Sequence, residues 1–469
     1  MLKAISSPRR KRAAKPRPTE ITTFASAVRY VSERVNIERM RVVSYDEATF
    51  KLDRVRQLLE ALGNPHEQIR TVHIAGTLGK GSTAAMIASI LQGCGHGVGL
   101  YTSPHLIDIR ERIAINGQPI RRTDFTTLMK QVAKAAAKQS NEPTFFELLT
   151  AMAFLYFAQE AVDIAVIETG LGGRLDATNV ITPEVTVITQ IDYDHTKILG
   201  NTLAKIAAEK AGILKHGVPV LTVEQDPEVE AVLRRKAEEL GAPLHILNKD
   251  IEFSCRFGAS DNLGPHTRIC VLTETSQFMH LPVPLPGEHQ AINCALALAT
   301  IGTLKTSGFA FDEVLLNEGL ARTVTPGRME LVWKEPRILI DGAHNPAAVR
   351  ALMRCVGAFV PYDSMICIFG CCEDKDIPAM LKGLTIGGDK VIFTRAKGTP
   401  RATPPEDLHR MFSELSGRMS QVAASLPDAL DLATRAVGRD DLICITGSFY
   451  LAGDAKKYLE QLASKHQPV

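Results

Sequence analysis

An excess of charge of either sign is missing from this sequence. Its 54 Lys and Arg face 52 Asp and Glu, a net charge of +2, which excludes an overall electrostatic footprint for nucleic acid or a membrane surface. Metal-binding cysteine spacing is missing too. The nine cysteines sit in apolar contexts such as Ile366-Cys367-Ile368 and Ile443-Cys444-Ile445, or as the pair Cys371-Cys372, with no CxxC or Cys/His pattern. They read as reduced core residues of a cytoplasmic protein. Long hydrophobic runs are also missing: the longest, roughly Leu148 to Ala158, is interrupted by Thr150 and Tyr156 and is too short to span a bilayer. The first twenty residues carry Lys3, Arg9, Arg10, Lys11, Arg12, Lys15 and Arg17 against Glu20, without the apolar core of a secretory signal. Residues 1–24 therefore read as a disordered basic tail, with a targeting peptide or an anion-binding arm as alternatives.

What is there is ordinary globular material, 45% hydrophobic and 23% charged. A chain of 469 residues exceeds the size at which one core stops growing, so two domains are expected. Short apolar runs at Thr71 to Ala75, Val98 to Tyr101, Asp163 to Glu168, Val185 to Thr189 and Val218 to Val223 alternate with helical periods such as Ser82 to Leu91 and Asp124 to Lys138. This pattern predicts parallel strands joined by crossover helices and buried on both faces. A second alternation follows Thr325-Pro326-Gly327. Its strands are expected at Arg337 to Asp341, Met365 to Phe369, Lys390 to Phe393 and Leu442 to Thr446, with helices from Pro346, Pro405 and Pro427. The fold class is α/β in two domains, residues 25–322 and 323–469, and ligand chemistry in such proteins lies at strand carboxyl ends and between domains.

The chemistry concentrates in a few segments. The strand ending at Ala75 runs into Gly76-Thr77-Leu78-Gly79-Lys80-Gly81-Ser82-Thr83 and then a helix. Glycines there let backbone N–H groups face phosphate oxygens, the helix N-terminus adds its positive end, and Lys80 supplies a mobile cation. Ser82 or Thr83 is placed to meet Mg²⁺ or phosphate. The loop departs from the standard Walker pattern, since Ile74 stands where its first glycine would be. A second apolar strand ends in Glu168, a position suited to hydrated Mg²⁺, ahead of the glycine-rich run to Asn179. A third ends before Asp192-Tyr193-Asp194-His195-Thr196.

These stretches, with Ser103-Pro104-His105, Glu111-Arg112, Glu209-Lys210, His289-Gln290, Pro326-Gly327-Arg328 and Asp341-Gly342-Ala343-His344-Asn345-Pro346, run from about residue 40 to the end. In that order the chain resembles the folylpolyglutamate synthase and dihydrofolate synthase family of the Mur ligase superfamily. The resemblance implies an N-terminal P-loop ATPase-like domain and a Rossmann-like glutamate-ligase domain. It implies ATP on Gly76, Thr77, Gly79, Lys80, Gly81, Ser82 and Thr83, the adenine near His289, Gln290 and Asn293, and Arg328, Asp341 and His344 reaching the nucleotide from the second domain. Two Mg²⁺ sites are implied, with Ser103, Glu168, His195 and a CO₂-carbamylated Lys210 as ligands, and with Lys80, Lys210 and His195 as the catalytic groups. Phe145, Phe146, Arg174 and Asp176 would border the pterin and benzoate.

The expected reaction is phosphorylation of a pteroate or folate carboxylate by ATP, followed by attack of the glutamate amine on the acyl phosphate. The implied partners are small molecules, with no nucleic acid and no membrane, and the implied state is a monomer. Two positions depart from the family pattern: Leu78 replaces a usual Asn, which tolerates left-handed geometry better, and Asp192 puts a negative charge beside His195. A Mur-type ligase for another acidic acceptor and an inactive nucleotide-binding homologue are the alternative readings.

Overall fold

The computed structural model describes residues 20–36, 38, 40, 50 and 52–466. The expected basic tail lies outside the described residues as far as residue 19. Ile21, before the expected end of that tail, is already buried, and Thr23 forms a capping box with Ser26 at the start of the helix Phe24–Ser32.

Strands β1 (Thr71–Ala75), β2 (Val98–Tyr101), β3 (Ile113–Ile115), β4 (Gln118–Pro119), β5 (Ile164–Glu168), β6 (Val185–Ile188), β7 (Val220–Thr222) and β8 (Leu244–Ile246) form one sheet in the order β4-β3-β2-β5-β1-β6-β7-β8. From β2 to β8 the pairing is parallel, and β3 and β4 add an antiparallel edge. The central strands β1, β5 and β6 are buried along their whole length, as apolar runs covered on both faces must be. β1 lies between β5 and β6, so their carboxyl ends bring Gly76, Glu168 and the segment after Ile188 to one place.

The helices that matter for the site are α1 (Lys80–Gly93), α2 (Phe145–Gln159), α3 (Leu203–Ala211), α4 (Glu288–Thr306), α5 (Glu313–Ala321), α6 (Pro346–Phe359) and α7 (Phe449–His466). α2 begins with a capping box in which the Thr144 hydroxyl accepts from Glu147 N–H and the Glu147 carboxylate accepts from Thr144 N–H. α6 is capped by Asn345, with Pro346 in its first turn.

After α5 ends at Ala321, a second α/β sheet begins at Glu330. It contains β12 (Glu330–Lys334), β13 (Arg337–Ile340), β14 (Met365–Phe369), β15 (Lys390–Phe393), β16 (Ser420–Val422) and β17 (Leu442–Thr446), in the order β12-β13-β17-β14-β15-β16. Alternate residues serve opposite faces: Leu339, Cys367 and Cys444 pack in one core, Ile338, Ile368 and Ile443 in the other. The expected α/β class holds. The pattern reading omitted an antiparallel sheet of β9 (Glu252–Ser260), β10 (Gly264–Leu272) and β11 (Gln277–Pro282). Among the described residues no helix is long and apolar enough to cross a membrane.

The phosphate-loop helix is seated through backbone contact. A Cβ on Gly93 in α1 would stand 2.5 Å from Gly319 Cα in α5, one on Gly319 would stand 2.7 Å from the Ser89 carbonyl oxygen, and Ser89 Oγ donates to the Gly319 carbonyl at 2.6 Å. Alanine in an open helix gains roughly 0.5–1 kcal/mol over glycine, whereas overpacking costs about 1–3 kcal/mol. We therefore expect Gly319→Ala to lower stability in urea unfolding; an equal or higher midpoint would refute this packing.

Candidate active site

The loop after β1 is shaped by close approach. A Cβ on Gly76 would overlap Thr189 Oγ1, and one on Gly79 would overlap Asn293 Oδ1. The N–H groups of Thr77 and Leu78 donate to the Gln190 carbonyl at 2.8 and 3.0 Å, and Thr77 Oγ1 donates to the Asp192 carbonyl. These two amides are committed to the loop after β6. The first-turn amides of α1 at Lys80, Gly81 and Ser82 have no carbonyl one turn behind them, and these residues line a cavity of about 1050 Å³. The left-handed position is Gly79, with φ 86°; Leu78 is not among the residues with positive φ, so replacing the usual Asn places no strain here. Thr83 is fully buried, its hydroxyl has no partner, and it does not line the cavity. Ser82 does, and its Oγ accepts from Gln290 Nε2 at 3.3 Å.

Glu168 is a buried carboxylate at the phosphate-loop end of this cavity. Its Oε2 accepts Ser103 N–H at 3.1 Å and Lys80 Nζ lies 3.9 Å from Oε1. Burial pushes its carboxyl up, against the pull of Lys80. Opposite, Lys210 on α3 donates to the Gly76 carbonyl at 2.6 Å. Burial and then the Lys80 charge lower its amine to about 7. His195, in left-handed geometry at φ 50°, is lowered to about 4, by burial first and against the pull of Asp194. It is a neutral imidazole at neutral pH and offers a lone pair. Asp192, the other departure, turns its carboxylate to Tyr193 N–H at 2.7 Å.

The second domain closes the cavity. Arg328 is half-buried, its guanidinium lies 4.3 Å over the Phe449 ring, and the charges of Asp341 and Glu168 oppose the lowering that desolvation imposes on it. Asp341 accepts Met329 and Ala343 N–H groups at 2.9 and 2.8 Å. His289, Gln290, Asn293, Arg328, Asp341 and His344 all line the same cavity as the phosphate loop. His344 is lowered to about 3, by burial and then by Lys375.

A cross-domain ion pair escaped the sequence reading. Lys375 Nζ stands 2.6 Å from Asp194 Oδ1, with His195 and His344 each 3.8 Å from Oδ2. Burial works against the Asp194 carboxylate, yet His195, Lys375 and His344 hold it well below the usual carboxylate range. The charged run Glu373-Asp374-Lys375-Asp376 after a buried strand was the available signal.

A smaller cavity of about 200 Å³ adjoins the first, and both are lined by Ser103, His195, His344 and Phe449. Of the four residues expected at the pterin and benzoate, Phe146 and Asp176 line it. Asp176 Oδ2 accepts Gly170 and Leu171 N–H groups, and Oδ1 accepts the Thr178 N–H and hydroxyl. The other two do not line it: Phe145 packs in the core beside the Arg112 guanidinium, and Arg174 points outward to Glu209.

The fit to a divalent cation rests on donor chemistry. Among the described residues no group of three or more His, Cys, Asp or Glu side chains has the arrangement to hold a metal ion by itself; Asp194, with His195 and His344 beside it, is engaged by Lys375. The Glu168 carboxylate and the neutral His195 imidazole beside the glycine loop suit Mg²⁺, which keeps several waters and takes phosphate oxygens.

Residues 74–301 match the Mur ligase middle domain, and residues 327–449 match the Mur ligase, glutamate ligase domain. A Bacillus subtilis (strain 168) protein named dihydrofolate synthase/folylpolyglutamate synthase is 37% identical over 415 residues, covering 87% of this chain and 95% of its own. The structure of Mycobacterium tuberculosis folylpolyglutamate synthase complexed with ADP and AMPPCP is similar with a TM-score of 0.81 at 34% identity, over 87% of this chain and 95% of that one. That of E. coli FolC in complex with DHPP and ADP is similar with a TM-score of 0.82 at 28% identity, over 96% and 100%. A phosphate loop facing a buried strand-end carboxylate, closed by a second α/β domain and shared with relatives along nearly their whole length, leaves one conclusion: the chain belongs to the folylpolyglutamate synthase/dihydrofolate synthase family of ATP-dependent Mur-type ligases.

Proposed function

We propose that this chain joins L-glutamate to a folate or pteroate carboxylate through an acyl phosphate, and that it serves both acceptors, dihydropteroate and tetrahydrofolate. One observation carries the reading: the cavity holding the phosphate loop and the cavity lined by Phe146 and Asp176 share a rim at Ser103, His195, His344 and Phe449. An acid seated in the smaller cavity presents its carboxylate to a terminal phosphate in the larger one. The α1 amides and Lys80 hold the phosphates, and the Phe146 ring offers a face to the pterin or benzoate. The substrate oxygen attacks phosphorus, ADP leaves, and the glutamate amine then attacks the acyl carbon and expels phosphate. Arg328, His344 and Lys375 close the site from the second domain and keep water from the acyl phosphate.

Glu168 and His195, with Ser103, are the residues that would hold Mg²⁺ at two positions; the ion supplies neutralisation of phosphate charge. Lys210 is suited to carbamylation. Its buried amine, at about 7, is substantially neutral at physiological pH. Attack of the nitrogen on the carbon of CO₂ with loss of a proton would replace a cation by a carboxylate beside Gly76.

Lys80→Ala is expected to lower ligation by roughly 100-fold or more, the scale of removing one preorganised donor, with an unchanged melting temperature; near-normal turnover would remove Lys80 from its role. Depleting bicarbonate should depress activity, and more so below pH 7, where the Lys210 amine carries its proton and cannot attack CO₂. An enzyme indifferent to bicarbonate, with no carbonyl NMR signal from isotopically labelled bicarbonate, would exclude the carbamate. The acceptor is read by mass spectrometry after incubation with ATP, Mg²⁺, glutamate and each acid in turn. Phosphate release without a glutamylated folate would overturn the reading, and product from only one acid would restrict it to that acceptor.

A further inference from the structure

The loop that leaves β2 runs through Ser103 and pushes Leu106 out of the first domain. Leu106 packs against the core of the second, among the cluster that includes Ile338, Leu451 and Ala452. Its seat is made by two glycines. A Cβ on Gly453, in the interior of α7, would overlap the Leu106 carbonyl oxygen, and one on Gly327 would stand 3.0 Å from Leu106 Cδ1. Glycine inside a helix is unfavourable relative to alanine, so its presence in α7 marks a close approach that a side chain would block. Glu330 ties the two walls together: Oε2 accepts Gly327 N–H at 2.7 Å and Oε1 accepts Lys456 Nζ of α7 at 2.6 Å.

Both ends of this contact reach the chemistry. On the first domain, Glu111 accepts the N–H groups of Leu106, Ile107 and Asp108 at 2.7–3.0 Å, fixing the loop whose Ser103 N–H meets Glu168. On the second, Gly327 adjoins Arg328, and α7 begins with Phe449, the ring under the Arg328 guanidinium.

We propose that Leu106 is a positioning residue for ligation: seated between Gly327 and Gly453, it sets the register of Arg328 and Phe449 against Ser103 and Glu168, and so keeps water from the acyl phosphate. It acts through those residues and takes no part in bond making. The inference rests on the ligase reading above. An unseated Leu106 leaves the second domain loose, and water then adds to the acyl carbon, breaks its bond to the phosphate oxygen and returns free acid and inorganic phosphate.

The test is carried out on the full chain with ATP, Mg²⁺, glutamate and the acceptor acid, reading kcat, KM for glutamate, melting temperature and phosphate released per glutamylated product. Leu106→Ala is expected to melt near wild type, to lose about 10-fold or more in kcat, the scale of a small misplacement, with a smaller change in KM, and to raise the phosphate-to-product ratio above one. Leu106→Met, which reaches the same seat, should restore both, and Gly453→Ala should uncouple with Leu106 intact. A ratio of one in Leu106→Ala overturns the proposal whether or not kcat falls, as does a Leu106→Met variant equally uncoupled. Should Leu106→Ala fail to fold, Leu106→Val reads the same ratio under the same criterion. Wild-type protein that makes no glutamylated product defeats the ligase reading instead, whereas a ligating wild type with fully coupled variants defeats this inference alone.

Discussion

Burying a carboxylate at the carboxyl end of a central strand is unfavourable by several kcal/mol unless charge and hydrogen bonds answer it, and Glu168 is answered only in part. Lys80 stands 3.9 Å away and one N–H reaches Oε2. Burial still lifts its carboxyl above the usual range, so the folded protein keeps a demand for positive charge at this point. The phosphate loop, the neutral imidazole of His195 and the cations of the second domain are arranged around that demand. A parallel sheet generates it directly, because its central strand ends converge and are dry.

The second domain contributes in kind. Arg328 brings a cation toward Glu168, and Lys375 and His344 embrace Asp194 from across the cleft. Each contact joins residues far apart in sequence and is made only when the two sheets face one another. A site divided this way is complete only in the closed arrangement, which suits chemistry whose intermediate must not meet water.

Much of the fold was legible because the periodicities are strong. β1, β2, β14, β15 and β17 lie at the expected residues, since runs such as Met365–Phe369 and Leu442–Thr446 are buried throughout. The antiparallel sheet of β9 to β11 was not legible: β9 is exposed for most of its length and mixes Arg256, Gly258 and Ser260 with Phe253 and Phe257, so neither a buried run nor clean alternation marks it. At the site, the positions of the glycine loop, Glu168 and His195 are visible in the sequence because they follow apolar strands, whereas the roles expected of Glu168 and His195 come from the family resemblance. Thr83 was assigned to the nucleotide by type, but helix phase turns it inward while Ser82 faces the cavity. Arg174 and Phe145 were carried by neighbourhood in sequence; a turn sends one to Glu209 and a helix face sends the other into the core. Lys375 could not be placed, because nothing local ties it to Asp194.

The amides of Thr77 and Leu78 already bond to the Gln190 carbonyl, and this has a thermodynamic corollary. A loop held in shape by its own sheet neighbour loses little conformational freedom when a nucleotide arrives, so association is spared most of the ordering penalty that flexible loops incur. The same anchoring makes the loop a rigid extension of β1 and β6.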